Sequence, residues 1–273
     1  MRDRMRVTFR GVRGSVPWAV PEGIVHGCNT PCLEVHDPST GAVLILDAGS
    51  GIAGVQPSRL SPDAARVSLL LTHYHWDHLL GLPFFATLYD VRQKLTIHTP
   101  TLEAHDPSWL ETIFRSPFFP VPYERLPNRP DVDMVSTGVV PVPGFAIAAV
   151  ALNHPDGCLA YRIKGASGDF VYATDHEFGN PAFDEPLAAF AHGAAGIVLD
   201  AHFTPDERPH HQGWGHSDWR QCAEFAARNG IGRLWLFHHK PGRADRELED
   251  IRDEARKIFP ATDTAREEVS FEI

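Results

Sequence analysis

The sequence predicts an α/β protein in which the strands of two sheets end at one polar cleft. Short apolar runs such as Ala42–Leu46 are typical of buried strands, whereas Asp245–Ile258 has apolar residues at helical spacing. Five of the strand-like runs end at a residue that can bind a metal, namely Asp47, His73, His154, Asp175 and His238. One such ending is unremarkable, but five of them indicate a single shared site.

Composition places the chain among ordinary globular proteins. It has 273 residues, of which 43% are hydrophobic and 22% charged. No linker, low-complexity tract or repeat divides it, so we expect one domain over residues 1–273. No apolar stretch is long enough to span a membrane, and the charged N-terminus leads into a strand rather than a signal region. We therefore expect a cytoplasmic protein without a membrane partner.

The net charge of −10 argues against an extensive nucleic-acid surface, because phosphate contacts need clustered lysine and arginine. A small phosphate ester that binds in a metal site is compatible with this charge.

The central motif is Thr72-His73-Tyr74-His75-Trp76-Asp77-His78, directly after the apolar run 67–71. In an extended segment, His73 and His75 project to the same side. A turn into a following helix brings Asp77 and His78 to a neighbouring point. Imidazole and carboxylate ligands suit a divalent ion, zinc before most others. The alternative is a histidine-rich loop that faces solvent, and the tight clustering of ligand types disfavours it.

Two residues outside the motif have more than one interpretation. Arg13 lies between Gly11 and Gly14, so its loop is either an anion-binding turn beside the site or a plain connection. Asp47 is either a direct ligand or, as we favour, a hydrogen-bonding residue behind the histidines, because carboxylates commonly orient ligating imidazoles.

Residues 100–130 are rich in proline and aromatic residues. We expect a short helix over 108–114 that Ser108 caps, followed by irregular structure. The segment is predicted either to cover part of the site or to form a homodimer contact, since exposed apolar residues often mark an interface. A second helix is expected over 217–228, with Ser217 as its cap.

The central motif resembles the HxHxDH signature of the metallo-β-lactamase-fold hydrolases. The resemblance continues in order through Asp47, His154, Asp175 and a C-terminal histidine, and covers nearly the whole chain. It implies a four-layer αβ/βα sandwich, with two sheets inside, helices outside and a dinuclear metal site at one sheet edge.

The resemblance also implies a ligand set for two divalent ions. One ion would be held by His73, His75 and His154. The other would be held by Asp77, His78 and His238, with Asp175 bridging both. His238 is preferred to His239 because it directly follows the strand residues Leu236-Phe237, and His239 is then expected to support the site. Zinc is the expected metal, although the same ligands accept manganese or iron.

The aspartate at position 175 bears on the subclass. Lactamases of this fold that use two zinc ions usually have cysteine there, so Asp175 resembles the phosphodiesterase and thioesterase branches. Asp200 and the run Gly215-His216-Ser217 resemble the acidic and glycine-histidine-serine motifs of ribonuclease Z-like phosphodiesterases. This implies that Asp200 and His216 handle the proton of the leaving group, a role that histidine beside a carboxylate can fill. The alternative for His216 is a backbone hydrogen bond near a helix cap.

The chain departs from ribonuclease Z in two places. It lacks a basic arm rich in glycine and proline, and it has His238-His239-Lys240-Pro241 in place of a His-Ser-Arg pattern. Its N-terminal segments, around Arg13 and around residues 27–32, resemble a bacterial subgroup described as cyclic-nucleotide-phosphodiesterase-like.

The leading hypothesis is hydrolysis of a small or cyclic nucleotide-type phosphodiester by a metal-bridging hydroxide, since coordination lowers the pKa of water to about 7. The expected catalytic residues are Asp77, Asp200 and His216, with Arg13 as a phosphate contact. The alternatives are tRNA 3′-processing on the same site and a metal-binding scaffold or sensor without turnover.

Overall fold

The computed structural model describes residues 4–57, 66–102 and 108–273. The first half of the chain supplies β1 (Arg6–Gly11), β2 (Cys32–Asp37), β3 (Ala42–Leu46), β4 (Arg66–Leu70), β5 (Lys94–Pro100) and β6 (Asp131–Val135). The second half supplies β7 (Gly138–Val142), β8 (Phe145–Leu152), β9 (Cys158–Ile163), β10 (Phe170–Ala173), β11 (Gly196–Asp200), β12 (Leu234–Phe237), β13 (Thr262–Thr264) and β14 (Ser270–Glu272).

These strands form two seven-stranded sheets. The order is β14-β1-β2-β3-β4-β5-β6 in the first and β13-β12-β11-β10-β9-β8-β7 in the second. Strands β3 to β6 are parallel to one another, and so are β10 to β13. Parallel strands buried on both faces have continuous apolar sequences, which is why runs such as Ala42–Leu46 could be recognised.

The two sheets pack face to face over a buried core. Phe9 and Leu44 of the first sheet belong to the same apolar cluster as Tyr161, Tyr172 and Phe237 of the second. The aromatic rings of Phe9 and Phe237 lie 6.1 Å apart across this interface. Burying these side chains removes the inner faces of both sheets from water, which is the main stabilising contribution of such a core.

Helices α2 (Pro181–Ala191), α3 (Trp219–Arg228) and α4 (Asp245–Ile258) lie on the outer face of the second sheet. Leu187, Cys222 and Ala255 are their fully buried contacts in a second apolar cluster. The outer face of the first sheet is covered by 3-10 turns and by the short helix α1 (Trp109–Ile113). The four-layer α/β sandwich predicted from the resemblance is confirmed.

Helix α3 begins differently from the prediction. The side chain of Asp218, not Ser217, accepts hydrogen bonds from the amides of Arg220 and Gln221, and Gln221 accepts one from the Asp218 amide. This reciprocal pair is a capping box. Ser217 instead donates its hydroxyl to the carbonyl of His176. Aspartate caps a helix as well as serine does, and the helix begins one residue later than predicted.

The segment after Asp77 is not a helix. It forms three 3-10 turns, Trp76–His78, Leu82–Phe84 and Ala86–Tyr89. Pro83 has no amide hydrogen to donate and interrupts a longer helix, which explains the difference from the prediction.

The aromatic segment contributes to the core on the first sheet. Trp109 and Phe114 are buried there, and the ring of Trp109 lies 5.6 Å from that of Tyr74 in the central motif. Phe118 is 74% exposed. Residues 103–107 of the segment lie outside the described residues, and its roles in covering the site or in dimerisation stay predictions. In the described part of the chain, no helix has both the length and the apolar character needed to cross a membrane.

Candidate functional site

The polar residues predicted from strand ends converge at one edge of the sandwich. Strand β9 is antiparallel to both β8 and β10, so β8 runs in the same direction as β10 to β12. The carboxyl ends of these strands therefore lie at the same edge of the second sheet, and they lead into His154, Asp175 and His238. The ends of β3 and β4 supply Asp47 and the central motif from the first sheet.

Three of these residues adopt the left-handed backbone conformation. The φ angle is 63° at Asp47, 53° at Asp175 and 57° at His238. This region is uncommon for residues other than glycine, and it is less unfavourable for aspartate and histidine than for β-branched residues. Each strand thus ends with a sharp change of direction, and residues held in such conformations are concentrated at functional sites.

The first ligand cluster consists of His73, His75 and His154. Each offers a ring nitrogen, and these nitrogens lie within 4.8 Å of one another. Nε2 of His154 is 3.0 Å from Nδ1 of His75. The structure therefore brings together the three histidines that the resemblance assigned to one ion.

The second ligand cluster consists of Asp77, His78, Asp175 and His238, whose ligand atoms also lie within 4.8 Å of one another. Nε2 of His238 is 3.0 Å from Oδ2 of Asp77, and Nε2 of His78 is 3.5 Å from the same oxygen. All four residues are buried. The set matches the four residues predicted for the other ion.

Asp175 lies between the two clusters. Its Oδ2 is 3.4 Å from Nε2 of His73, 3.3 Å from Nε2 of His78 and 3.8 Å from Nε2 of His154. Its Oδ1 is 3.4 Å from Nε2 of His238. One carboxylate thus faces imidazoles from both clusters, which is the position that a bridging ligand requires.

The residues present fit a metal centre. Nε2 of His73 and Nε2 of His78 are buried and make no hydrogen bond with the described residues. A buried polar atom without a partner is unfavourable unless something binds it. Both nitrogens face the carboxylate of Asp175, and a set of imidazoles and carboxylates is suited to zinc and related divalent ions. These clusters can hold a metal.

Asp47 supports His78, as the sequence analysis favoured. Its Oδ2 accepts a hydrogen bond of 2.9 Å from Nδ1 of His78 and another of 2.9 Å from the hydroxyl of Tyr172. Its Oδ1 accepts from the amide of Thr72 at 2.8 Å. Because Asp47 engages Nδ1 of His78, Nε2 is the nitrogen that faces the cluster.

His154 is oriented in the same way by a backbone group. Its Nδ1 donates to the carbonyl of Gly215 at 2.9 Å, so Nε2 faces the first cluster, 3.0 Å from Nδ1 of His75. Burial lowers the pKa of His154 to about 4, and burial likewise lowers the pKa of His73 well below its usual range. Both shifts favour the neutral imidazole, the form that binds a metal.

The carboxylates of the site are held in the charged form. Although burial alone would raise the pKa of Asp175, the imidazoles of His238 and His78 lower it well below its usual range. Burial opposes the charged form of Asp77 as well, and His78 and His238 again lower its pKa. The site therefore presents deprotonated oxygens beside the neutral imidazoles of His73 and His154. Although burial opposes its charge, Asp175, Asp77 and Asp47 raise the pKa of His78 well above its usual range.

Beside the second cluster, Asp200 and His216 form a pair. Oδ2 of Asp200 is 2.6 Å from Nδ1 of His216, and the ring of His216 stacks on that of His238 at 4.9 Å. Burial would lower the pKa of His216, but the charge and hydrogen bond of Asp200 raise it to about 9. His216 thus bonds to a carboxylate, and not to backbone at the helix cap.

His202 lies beside this pair, whereas the sequence left open whether it faces solvent or supports the site. It is buried, its ring stacks on His216 at 4.6 Å, and its Nδ1 donates to the carbonyl of His238 at 3.0 Å. The sequence feature that indicates this place is that His202 follows Asp200, the last residue of β11, by two positions.

The predicted role of Arg13 as a phosphate contact is wrong. Its side chain is fully buried. The guanidinium donates three hydrogen bonds of 2.7 to 2.8 Å to the backbone carbonyls of Gly23, Gly27 and Arg243. Arg13 therefore fixes the N-terminal loop to the start of α4, and its nitrogens are occupied.

The supporting role predicted for His239 is also corrected. Its Nε2 donates to the carbonyl of Ala265 at 2.9 Å, and its ring packs edge-on against His26. His238 faces the clusters through Nε2, whereas His239 faces Ala265 and His26.

The N-terminal loop does reach the site through its backbone. The amide of Ser15 donates to Oδ2 of Asp77 at 2.8 Å. A side chain at Gly14 would overlap the ring of His238, with its Cβ 2.5 Å from Nδ1. The glycine allows this close approach. From the sequence, the loop was expected beside the site as a possible anion-binding turn, and not because of a backbone contact.

Comparison with known proteins agrees with this geometry. Residues 42–239 match the model of the Beta-lactamase superfamily domain. Together with the fold and the ligand clusters, this match defines the class of protein as a metal-dependent hydrolase. The chain belongs to the beta-lactamase superfamily, and within it resembles the ribonuclease Z-like proteins.

Ribonuclease Z of Bradyrhizobium sp. (strain ORS 278) is 27% identical over 93% of this chain and 95% of its own length. The metallo-beta-lactamase fold protein YhfI from Bacillus subtilis has a TM-score of 0.72 and 21% identity, covering 99% of this chain and all of that one. A diphosphatase from the PhnP family has a TM-score of 0.70 and 18% identity, covering 100% of this chain and 98% of that one. The two structures show a shared fold.

Proposed function

We propose that this protein is a metal-dependent phosphodiesterase that acts on a small or cyclic nucleotide-type phosphodiester. The observation that carries the proposal is the Asp200–His216 pair, with its 2.6 Å hydrogen bond beside the second ligand cluster. A hydrolase that cleaves a P–O bond to an alcohol must protonate the leaving oxygen. A buried imidazole held by a carboxylate provides that proton.

Two divalent ions, with zinc as the expected metal, would be held by the two clusters, and Asp175 would serve both. When bound, they would act as Lewis acids, generate the nucleophile from water and stabilise the negative charge on phosphorus. Asp77 would be a ligand whose orientation is set by the Ser15 amide. The neutral His73 and His154 need no deprotonation before they bind a metal.

His216 would act as the general acid. Its Nδ1 proton is engaged by Asp200, so Nε2 is the nitrogen that transfers a proton to the leaving oxygen. The pKa of about 9 keeps the ring protonated near neutral pH, which is the state required before bond cleavage. The ring of His202 stacks on that of His216 at 4.6 Å and restricts its rotation.

The basic side chains close to the end of β12 are already paired. Lys240 and Arg243 bond to the two carboxylate oxygens of Glu207 at 2.9 and 2.6 Å. Unpaired lysines and arginines are what a polyanion needs for its phosphates. Together with the net charge of −10, this pairing supports a small substrate.

The alternative is tRNA 3′-processing, which the curated relatives named ribonuclease Z favour. It uses the same site, and the difference lies in how a large RNA is bound. Binding of a precursor tRNA through lysine and arginine would weaken steeply as salt rises. A salt series with a precursor tRNA, compared with a small diester, separates the two functions.

The proposal is tested with protein loaded with zinc or manganese. We expect hydrolysis of bis-p-nitrophenyl phosphate and of 3′,5′-cyclic nucleotides, lost on chelation and restored by metal. Loaded protein that leaves every phosphodiester intact, yet cleaves a thioester or a lactone, would contradict it. Metal binding without turnover of any ester would favour a scaffold or sensor.

A further inference from the structure

Glu177 lies two residues after Asp175 and has no place in the reaction described above. Its side chain is buried, with 8% of the residue exposed. Its Oε1 accepts a hydrogen bond of 2.9 Å from the amide of Gly213, and its Oε2 accepts one of 2.7 Å from the amide of Gly215. One carboxylate thus holds two amides of the loop 213–216, which we call the Gly213–His216 loop.

This loop contacts both halves of the site. The carbonyl of Gly215 accepts the Nδ1 proton of His154, and the next residue, His216, bonds to Asp200. Gly215 has a φ of 82°, and a Cβ there would lie 2.0 Å from Nδ1 of His154. The backbone of Gly215 therefore packs directly against the ring of His154, and the position of the loop determines where that ring lies.

Glu177 is itself fixed to the strand ends that carry the ligands. Its amide donates to the carbonyl of Asn153 at 2.9 Å, and Nδ2 of Asn153 donates to the carbonyl of Glu177 at 2.7 Å. Arg208 lies 3.2 Å from Oε1 and offsets part of the buried charge. The backbone of Glu177 is thus fixed by Asn153, and its carboxylate is paired with Arg208.

We propose that Glu177 is a positioning residue that sets the general acid His216 and the ligand His154 through the Gly213–His216 loop. Its carboxylate contacts loop amides and Arg208, and it belongs to neither ligand cluster. The role of His216 rests on the proposed phosphodiesterase function, so the position of the loop is also tested by hydrogen exchange, which does not depend on activity. Residues that orient ligands and catalytic groups at a distance typically affect metal affinity or activity by about 10- to 100-fold.

The test compares Glu177→Gln with Asp37→Asn. Glutamine keeps the size of the side chain, but its single carbonyl oxygen can accept from only one of the two amides and its NH2 group faces the other. Asp37 is a matched control, since it also accepts a backbone amide, that of Ser39, in the turn at the opposite end of β3. Glu177→Asp, which is shorter but keeps the charge, is a second variant should the glutamine variant fail to fold.

The first measurement is hydrogen exchange of the peptide over residues 211–217. We expect faster exchange in Glu177→Gln than in the wild type and no change in Asp37→Asn. The second is the rate on aryl phosphodiesters that carry a p-nitrophenyl or a phenyl leaving group. Misplacement of the general acid should reduce kcat for the phenyl ester about 10- to 100-fold, and more than for the p-nitrophenyl ester, whose phenolate leaves without a proton.

Unchanged exchange over 211–217 in both Glu177 variants would overturn the proposal. So would an equal loss on both esters with KM and metal content unaltered, since a purely structural defect lowers all rates together. If the wild type cleaves no phosphodiester, the proposed function fails, and the exchange data and the zinc content after dialysis still decide the role of Glu177.

Discussion

Nδ1 of His216 lies 2.6 Å from Oδ2 of Asp200, and this hydrogen bond joins the end of β11 to the loop before α3. The ring of His216 stacks at an interplanar angle of 26° on His238, a residue of the second ligand cluster. A group that can donate a proton is thus placed beside the two ligand clusters. Because a ring nitrogen of His216 also lies within 4.8 Å of ligand atoms of His154 and Asp175, metal content and turnover are measured on the same variant.

The first prediction concerns His216. His216→Ala should leave metal content unchanged and reduce kcat on diesters with poor leaving groups by about 10²- to 10⁴-fold, because it removes the general acid. Metal analysis and steady-state kinetics on the same preparation check it. Loss of bound metal in the variant would show that His216 is a ligand instead.

The second prediction concerns Asp47. Asp47→Asn leaves one acceptor oxygen for donors that include the Thr72 amide, the His78 imidazole and the Tyr172 hydroxyl. Because His78 is then free to change tautomer, we expect metal affinity to fall by about 10- to 100-fold. Competition with a zinc chelator measures the change, with Asp37→Asn as control. Equal affinity in the two variants would show that Asp47 does not orient His78.

Much of the site could be predicted because ligand residues follow strands closely. A short apolar run indicates a strand without any long-range information, and the next few residues lie at the sheet edge. His73 comes three residues after the end of β4, and Asp175 two residues after the end of β10. The choice of His238 over His239 also followed from counting residues from the end of a strand.

The errors arose where a role depends on contacts between distant parts of the chain. Arg13 sits in a glycine-flanked loop, yet its partners Gly23 and Arg243 come from a neighbouring loop and from the segment before α4. Glu177 acts on amides 36 and 38 residues away. No local sequence pattern indicates such contacts. Every residue has a backbone carbonyl, so the identity of the partner residue does not show that it accepts a hydrogen bond. The edge strands β6 and β7 were not predicted, because aspartates interrupt the apolar residues of β6 and Pro141 interrupts those of β7, so neither is a continuous apolar run.

The third prediction follows from the corrected role of Arg13. Arg13→Met leaves three buried carbonyls without a donor. Bonds to charged groups contribute about 1.5–3 kcal/mol each, and the variant also removes the cost of burying the guanidinium charge, so we expect the free energy of unfolding to fall by about 4–5 kcal/mol. KM for a phosphodiester should stay unchanged in the folded fraction. Denaturant unfolding and kinetics check the two parts. An increase in KM at unchanged stability would instead support the phosphate contact that was predicted from the sequence.

The fourth prediction concerns pH and Glu207. Although burial opposes its charge, hydrogen bonds from Arg243 and Lys240 lower the pKa of Glu207 to about 2 in the folded protein. A lowered folded-state pKa means that the charged form contributes stability above the unfolded pKa of about 4.3, and that this contribution is lost as pH falls toward 2. Glu207→Gln should therefore lower Tm most near pH 7, with the difference from wild type shrinking below about pH 4. A difference in Tm that is independent of pH would contradict it.

The central claim is that the two ligand clusters and His216 serve the hydrolysis of a small phosphodiester. Its most direct test is kcat/KM on bis-p-nitrophenyl phosphate and on a precursor tRNA, measured with one preparation of known metal content. We predict turnover of the small diester that needs bound metal, with no cleavage of the precursor tRNA. Efficient cleavage of the precursor tRNA at its 3′ end, with the small diester left intact, would contradict the account.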